Sequence, residues 1–552
     1  MIRSKSTSAS TGSGWILRAG TDAGATLESV VGETNAFWRG ADVSLAVTGD
    51  AIEATGVNAQ ATMVSIPRSD GSNSVEVNVE AGTATLSSDV FGLHPIYHTR
   101  QHGADWYASD LRLLMRLRPS WRMDALGLHS YLSCSHTVPP NTLVCGISVL
   151  EPGSDVQIAP GAATVTRHGG WSGIKVRAET EDAAVKRLRS ILSESIARRV
   201  SGRDDVGVYL SGGLDSSLIA AMLCEAGVRP RLYTLDFGAP FNEEVAFAHA
   251  VAQHLGLSVT VVRATKKDIR RELPTTASAL HQPFGDAVTV PLRLLGAAAS
   301  RDVSVVFNGE GGDQLFGGWA NKPMLAAELY GVDGYDRDAE YLKTFHRFLD
   351  HGHALYSPEA LASISGCDER AWVHDALNQD ADYCLLHRLR AANLRLKGAL
   401  NIAPRFSQIA SSHGLEVEAP FLDKELAEWS FTLPPDYLLK SNCEKYLLKR
   451  VAETYLPSDV VWREKRGMGV PATEWCEGEF RRDIGRRFSP KAVRTHGWFR
   501  PELLHELRKG SIADGEYRQR RMGEKLWTLL MLDEWLRTCG RPVAWPTERQ
   551  PT

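Results

Sequence analysis

A chain of 552 residues, 43% hydrophobic and 23% charged, has the composition of an ordinary globular protein and room for two or three domains. Against 66 acidic residues stand 62 basic ones, a formal net charge of −4, so no global field draws the chain to nucleic acid or to a membrane surface. No run of about 18 apolar residues would span a bilayer. The eight cysteines form no Cys-x-x-Cys pair, which argues against a zinc ribbon or a disulfide framework and fits a reducing cytoplasm.

The polar, Ser/Thr-rich stretch Met1 to Gly14 lacks the apolar core of a secretory signal. From Trp15 to about Trp171 short β-like segments recur: Val43–Val47, Thr62–Ile66, Val75–Val79, Thr83–Ser87, Trp106–Ala108 and Val156–Ile158. Gly, Asp and Asn turns separate them and predict a stacked or sandwiched β unit. Apolar residues at helical spacing then predict a helix over 180–200.

Next comes Val206-Gly-Val-Tyr-Leu-Ser-Gly-Gly-Leu-Asp-Ser-Ser217, a buried strand, a Gly-Ser turn and a helix start. Backbone N–H groups, two hydroxyls and a helix dipole meet at one point there, which makes an anion cradle. The kinase-type phosphate loop, Gly-x-x-x-x-Gly-Lys-Ser/Thr, occurs nowhere. Further strands are expected at Arg231–Phe237, Val259–Val262 and Asp302–Asn308, with a helix at Glu243–Leu255. Such alternation predicts a parallel sheet wrapped by helices, with ligands beyond the carboxyl ends of the strands. From Pro323 the chain reads as mostly helical, closing with a helix at Glu524–Leu536 and a frayed tail from Gly540.

The fourth of these strands runs into Asn308-Gly-Glu-Gly-Gly-Asp-Gln-Leu-Phe-Gly-Gly318. Asp215 and Asp313 would then face each other across a nucleotide, where two hard carboxylates suit Mg²⁺; capping of the following helices is the plainer role for both. Glu310 stands in the same loop, where a solvated carboxylate is its plain reading.

Ser211-Gly-Gly-Leu-Asp-Ser-Ser217 and Gly309-Glu-Gly-Gly-Asp-Gln-Leu-Phe-Gly-Gly318 together resemble the two signatures of the asparagine-synthetase family. Asp89-Val-Phe-Gly-Leu-His-Pro-Ile-Tyr97, Tyr107-Ala-Ser-Asp110, Pro140-Asn-Thr-Leu143 and Leu150-Glu-Pro-Gly153 resemble the amidotransferase domain at the front of its glutamine-dependent members. The resemblance implies an α/β protein in two parts. Residues 1–172 would be an Ntn-amidotransferase-like, β-rich α/β domain. Residues 173–552 would be a parallel-sheet ATP-pyrophosphatase domain of the adenine nucleotide α-hydrolase-like kind, with a helical extension. It also implies ATP and Mg²⁺, with the nucleotide held by Leu210, Ser211, Gly212, Gly213, Leu214, Asp215, Ser216, Ser217, Leu235, Gly309 and Asp313, and the metal by Asp215 and Asp313. Catalysis would rest on Glu310, on Arg405 and on Lys465, the last in a segment resembling the family's lysine-bearing loop. The implied reaction joins a carboxylate to an amine through an acyl-adenylate.

Three departures bear on the product. The family's glutaminase cysteine follows the initiator methionine, but Ile2 stands here and the first cysteine is Cys134. Gln314 and Glu418 replace a glutamate and an arginine of the family pattern. A synthetase domain behind a front domain without its nucleophile is similar to lasso-peptide cyclases, which join an Asp or Glu side chain of a peptide to that peptide's own α-amine. That reading brings a peptide substrate and a leader-cleaving protease as partners, with no nucleic acid and no membrane. An ammonia-dependent asparagine synthetase, a β-lactam synthetase-like small-molecule cyclase and a non-catalytic ATP-binding scaffold are the alternatives.

Overall fold

The computed structural model describes residues 14–19, 36–39, 43–48, 63–67, 73–78, 81–540 and 542, except 168–169, 319, 346, 350, 379, 381, 465–466, 468 and 510–517. The front part is built on β1 (Gly14–Ala19), β2 (Ala36–Arg39), β3 (Val43–Thr48), β4 (Met63–Pro67), β5 (Asn73–Asn78) and β6 (Thr83–Ser87), continuing with β7 (Tyr97–Gln101), β8 (Ala104–Ala108), β9 (Ser148–Val149), β10 (Ser154–Ala159) and β11 (Ala162–Arg167). They form two antiparallel sheets, in the orders β2-β3-β1-β8-β7-β9 and β11-β10-β6-β5-β4. Strands with alternate residues buried are what a two-layer packing requires; β6 and β10 bury every second residue. Trp15, Leu17, Val75, Val77, Leu86, Tyr107, Val156 and Ile158 fill one core there.

The opposite face of the first sheet is not left to solvent. Ile16, Tyr97, Trp106 and Ala108 share a continuous core with Tyr131, Leu280, Trp527 and Trp535. The C-terminal helix Arg518–Thr538 carries much of that contact. The Tyr131 hydroxyl donates to the Thr528 carbonyl at 2.9 Å, the Trp535 indole donates to the Leu280 carbonyl at 3.2 Å, and Trp121 meets Trp535 edge-on at 6.0 Å. The front sandwich is therefore welded to the rest of the chain by apolar packing.

The second part centres on a parallel sheet of β12 (Val206–Tyr209), β13 (Arg231–Asp236), β14 (Val259–Arg263), β15 (Val305–Phe307) and β16 (Glu416–Glu418), in the order β14-β13-β12-β15-β16. The central strand β12 is buried throughout, as a strand covered on both faces should be. Helices Glu181–Val200, Leu214–Glu225 and Glu243–His254 pack on one side. Lys266–Ala279, Thr289–Ala299 and Ala403–Ser411 pack on the other. Thr180 starts the first helix by accepting from the Ala183 N–H at 3.3 Å. A ten-residue π-helix, Asn393–Ile402, sits just before Ala403–Ser411. No described helix is long and apolar enough to cross a membrane. Residues 1–13 of the polar N-terminal stretch, and most of the tail beyond Gly540, lie outside the described residues.

Candidate functional site

The strand order places a reversal at β12: the chain steps to β13 and β14 on one side and to β15 and β16 on the other. The crevice beyond the carboxyl ends of β12 and β15 is the place where such sheets bind ligands. Both glycine-rich loops lie there. After β12, Leu210 is buried and its N–H donates to the Tyr233 carbonyl at 2.8 Å. Ser211 N–H donates to Ser216 Oγ at 3.2 Å, and Gly213 N–H donates to Ser211 Oγ at 3.2 Å. These bonds curl the loop so that Gly213 opens the helix, with Leu214 and Asp215 in its first turn. Ser216 and Ser217 are buried beneath it; Leu235 is buried on the neighbouring strand β13.

The second loop leaves β15 at Asn308, whose N–H donates to the Glu418 carbonyl at 3.0 Å. The Asn308 side-chain oxygen accepts from the Glu310 N–H at 3.0 Å, which pins the half-buried Glu310 at the loop tip. Gly309 and Gly312 follow the same tight path, the Gly312 N–H donating to the Gly309 carbonyl at 3.4 Å. A methyl group on Gly312 would lie 2.7 Å from Asp215 Oδ1, so glycine is what allows the two loops to touch.

Asp215 and Asp313 do converge, and a lysine joins them. Lys445 Nζ donates to Asp215 Oδ2, and it lies 2.5 Å from Asp313 Oδ1. Its side chain is 5% exposed. Burial alone would lower the ammonium, but Asp215 and Asp313 outweigh burial and hold it above the usual lysine value. The hairpin β17 (Leu439–Lys440) and β18 (Cys443–Glu444) delivers it. Ser441 and Asn442, both at positive φ, make the tight turn that favours such conformations. Lys445 follows at φ +57, a conformation that costs a non-glycine residue free energy and is kept by its surroundings.

Because both carboxylate oxygens contact one ammonium nitrogen, one small cation can be shared between them, and the pair suits Mg²⁺ that keeps waters and takes phosphate oxygens. Among the described residues no group of three or more His, Cys, Asp or Glu stands ready to hold a metal alone. A second cation lies close by. Arg463 covers the Phe247 ring at 4.1 Å, and its guanidinium lies beside Gly213.

Other expected residues stand differently. Lys465 lies outside the described residues. Arg405 is 6% exposed and donates to Asp286 Oδ2 at 2.7 Å and to Asn401 Oδ1 at 2.8 Å. Asp286 also accepts from Arg347 at 2.8 Å and from Asn401 at 2.6 Å. Arg347 in turn donates to Ser135 Oγ of the front domain, so Arg405 belongs to a buried knot between domains. In this arrangement its guanidinium is engaged by Asp286 and Asn401.

Glu418 is likewise absorbed. It is 3% exposed, with Arg199 at 3.2 Å and Arg203 at 3.4 Å, both at the end of helix Glu181–Val200 or just beyond it. Burial, with Glu416 beside it, pushes its carboxyl up to about 8 against the pull of Arg199 and Arg203. Its charge is either taken up by these arginines or removed by a proton. In neither state does it present an unpaired negative charge to an acidic substrate. Gln314 is buried at 4% and its Oε1 meets no hydrogen-bond partner among the described residues.

A separate cavity of about 50 Å³ lies between the two domains, lined by residues including Asp89, Tyr97, His136, Gln282, Pro404 and Gln408. Burial pushes the His136 imidazole down to about 4, so that ring is neutral at ordinary pH.

A parallel sheet with two glycine loops, two facing carboxylates and two cations at its reversal point defines a nucleotide-using α/β protein. The chain belongs to the asparagine synthase family: the family described as Asparagine synthase matches residues 187–537, and the Glutamine amidotransferase domain matches residues 71–169. It is 24% identical to Asparagine synthetase [glutamine-hydrolyzing] 1 of Bacillus subtilis, over 81% of this chain and 74% of that protein. It is 25% identical to a Putative asparagine synthetase [glutamine-hydrolyzing] of Mycobacterium bovis, over 81% and 73%. It is also 22% identical to Amidase chyE of Penicillium rubens, over 74% and 71%. The protein is an ATP-dependent amide ligase of the asparagine-synthetase type.

Proposed function

We propose that this ligase activates a carboxylate with ATP as an acyl-adenylate, releasing pyrophosphate, and passes the acyl group to an amine, releasing AMP. The observation that carries this is the convergence of Asp215, Asp313 and Lys445 beneath the Ser211–Ser217 loop. The loop's N–H groups and the helix dipole would cradle pyrophosphate. Mg²⁺ bound between Asp215 and Asp313 would neutralise phosphate charge. Lys445 and Arg463 add cationic charge where negative charge builds at the α-phosphate. Glu310, fixed by Asn308 at the adjoining loop tip, would orient the incoming amine and accept its proton.

For the product, the favoured reading is macrolactam closure within a lasso-type peptide, from an Asp or Glu side-chain carboxylate to the N-terminal amine. It is supported by the thiols of the front domain. Cys134 is buried within helix Ala125–Cys134, where burial pushes its thiol far up, and Cys145 is half-buried; neither has the exposed setting of a glutaminase nucleophile. A second reading, ammonia-dependent asparagine synthesis, is favoured by the burial of Glu418 against Arg199 and Arg203.

The test is ATP–pyrophosphate exchange and product analysis. Asp215→Ala and Asp313→Ala should each abolish exchange. Incubation with MgATP and a linear peptide should give a product lighter by one water, with AMP. Asparagine formed from aspartate and ammonium would establish the second reading instead, and ADP as the spent nucleotide would overturn both.

A further inference from the structure

We propose that Lys445 is a resident counter-ion that closes the Asp215/Asp313 pair to free divalent cations and yields it only to a metal arriving with a nucleotide. The proposal rests on the ATP reading above. Its basis is geometric. The ammonium occupies the point where the two carboxylates converge, in contact with Asp215 Oδ2 and 2.5 Å from Asp313 Oδ1. That point is also where one cation would have to sit to be shared by both aspartates.

The lysine is built in rather than draped over the surface. It is 4% exposed as a residue, fixed at φ +57 directly after the second strand of the hairpin, Cys443–Glu444, and its carbonyl accepts from the Lys449 N–H at 2.9 Å. A methyl group on Gly318 would lie 2.2 Å from Asp313 Oδ1 and 2.3 Å from Lys445 Cε, so the lysine threads through a gap that only glycine leaves open. Glu444, the preceding residue, is held by Lys322 at 3.3 Å, and Tyr446, the next, donates its hydroxyl to Glu181 at 2.8 Å. The backbone at 445 is thus anchored on both sides, while the side chain ends in rotatable bonds.

A free Mg²⁺ approaching this pair meets an ammonium at contact range, and the repulsion between a divalent and a monovalent cation about 4 Å apart weakens binding by more than about tenfold even at the dielectric constant of water. A nucleotide changes the balance. Its phosphates offer Lys445 other anionic partners, so the ammonium can leave the carboxylates without becoming an unpaired buried charge, and the metal takes its place. Release of pyrophosphate with its metal restores the original pairs. The lysine makes metal loading conditional on nucleotide, and no covalent step is involved.

The test is Mn²⁺ binding followed by electron paramagnetic resonance, with and without α,β-methylene ATP, on the full chain. Wild type should bind Mn²⁺ at this site only with the analogue present. Lys445→Met should bind Mn²⁺ without nucleotide at least about tenfold more tightly than wild type, and adding Asp215→Asn should remove that gain. Wild type binding Mn²⁺ alone as tightly as with the analogue would overturn the proposal, as would a folded Lys445→Met that gains nothing. Lys445→Gln serves if the methionine variant does not fold, and the wild-type comparison decides independently of both. If wild type binds no Mn²⁺·α,β-methylene ATP at all, the ATP reading itself fails, a result distinct from nucleotide-independent metal binding.

Discussion

Replacing Arg405 by methionine separates a structural arginine from a catalytic one. The substitution keeps an apolar stem but removes a guanidinium that donates to Asp286 at 2.7 Å and to Asn401 at 2.8 Å in a site 6% exposed. Breaking a buried ion pair typically costs about 3–5 kcal/mol. Here Asp286 keeps Arg347 at 2.8 Å and Asn401 at 2.6 Å, so the low end applies, about 3 kcal/mol. With about 2.1 cal/mol/K of unfolding entropy per residue, that lowers the melting transition of the synthase-like part by about 4 °C. The acid limb should move as well. Burial raises the Asp286 carboxyl, but Arg405 and Arg347 more than compensate and hold it below the usual aspartate value. A depressed folded value contributes stability above the unfolded pKa that is lost as pH falls through the folded one. Without Arg405 the folded carboxyl is less depressed, so Arg405→Met should lose less additional stability than wild type as pH falls below the ordinary aspartate value, giving a shallower acid limb. Melting by circular dichroism across pH 3–7, beside ATP–pyrophosphate exchange, checks both effects. An Arg405→Met protein that melts like wild type yet makes no adenylate would show that the arginine acts on substrate and that the knot around Asp286 is incidental.

Gly312→Ala should abolish nucleotide binding, measured by calorimetry, because its methyl would meet Asp215 Oδ1 at 2.7 Å; tight binding by this variant would mean the loops part freely. Glu310→Gln should leave ATP–pyrophosphate exchange near wild type and slow amide formation by about 10²-fold or more, the usual scale for losing a positioned base. Glu418 carries a pH prediction of the opposite sign to that of Asp286. Its folded value is raised to about 8, so the native state holds a proton that the unfolded chain releases near the ordinary glutamate value. Its contribution to stability should fall as pH rises from about 4.5 to 8, and Glu418→Gln should flatten that slope in urea titrations.

Strands and helices that announce themselves by period were legible. The helix expected over 180–200 forms as Glu181–Val200 with Thr180 at its cap, and Thr83–Ser87 forms as read. The two glycine loops were legible because their chemistry needs an order of residues, not merely a composition. β1 and β7 were missed in the front sandwich, where short segments carry little pattern of their own. β16 is only three residues long and exists because β15 offers it an edge, which no local signal reveals. The π-helix 393–402 breaks the 3.6-residue period on which helix reading depends. Lys445 was invisible as a site residue because it lies 132 positions after Asp313 and its sequence context reads as an ordinary helix start. Arg405 shows the converse. Its place in a motif suggested chemistry, while the buried network it shares with Asp286, Asn401 and Arg347 left no trace in the sequence.

Position 418 is not an independent character. An acid is tolerated in so dry a place because Arg199, at the end of the first helix of the synthase-like part, and Arg203, just beyond that helix, reach it. Arginine introduced there alone would crowd three guanidinium groups together, so a return to the family's residue requires compensating changes at 199 or 203. Those three positions are coupled through one buried cluster of charge, so a substitution at any of them acts on the other two.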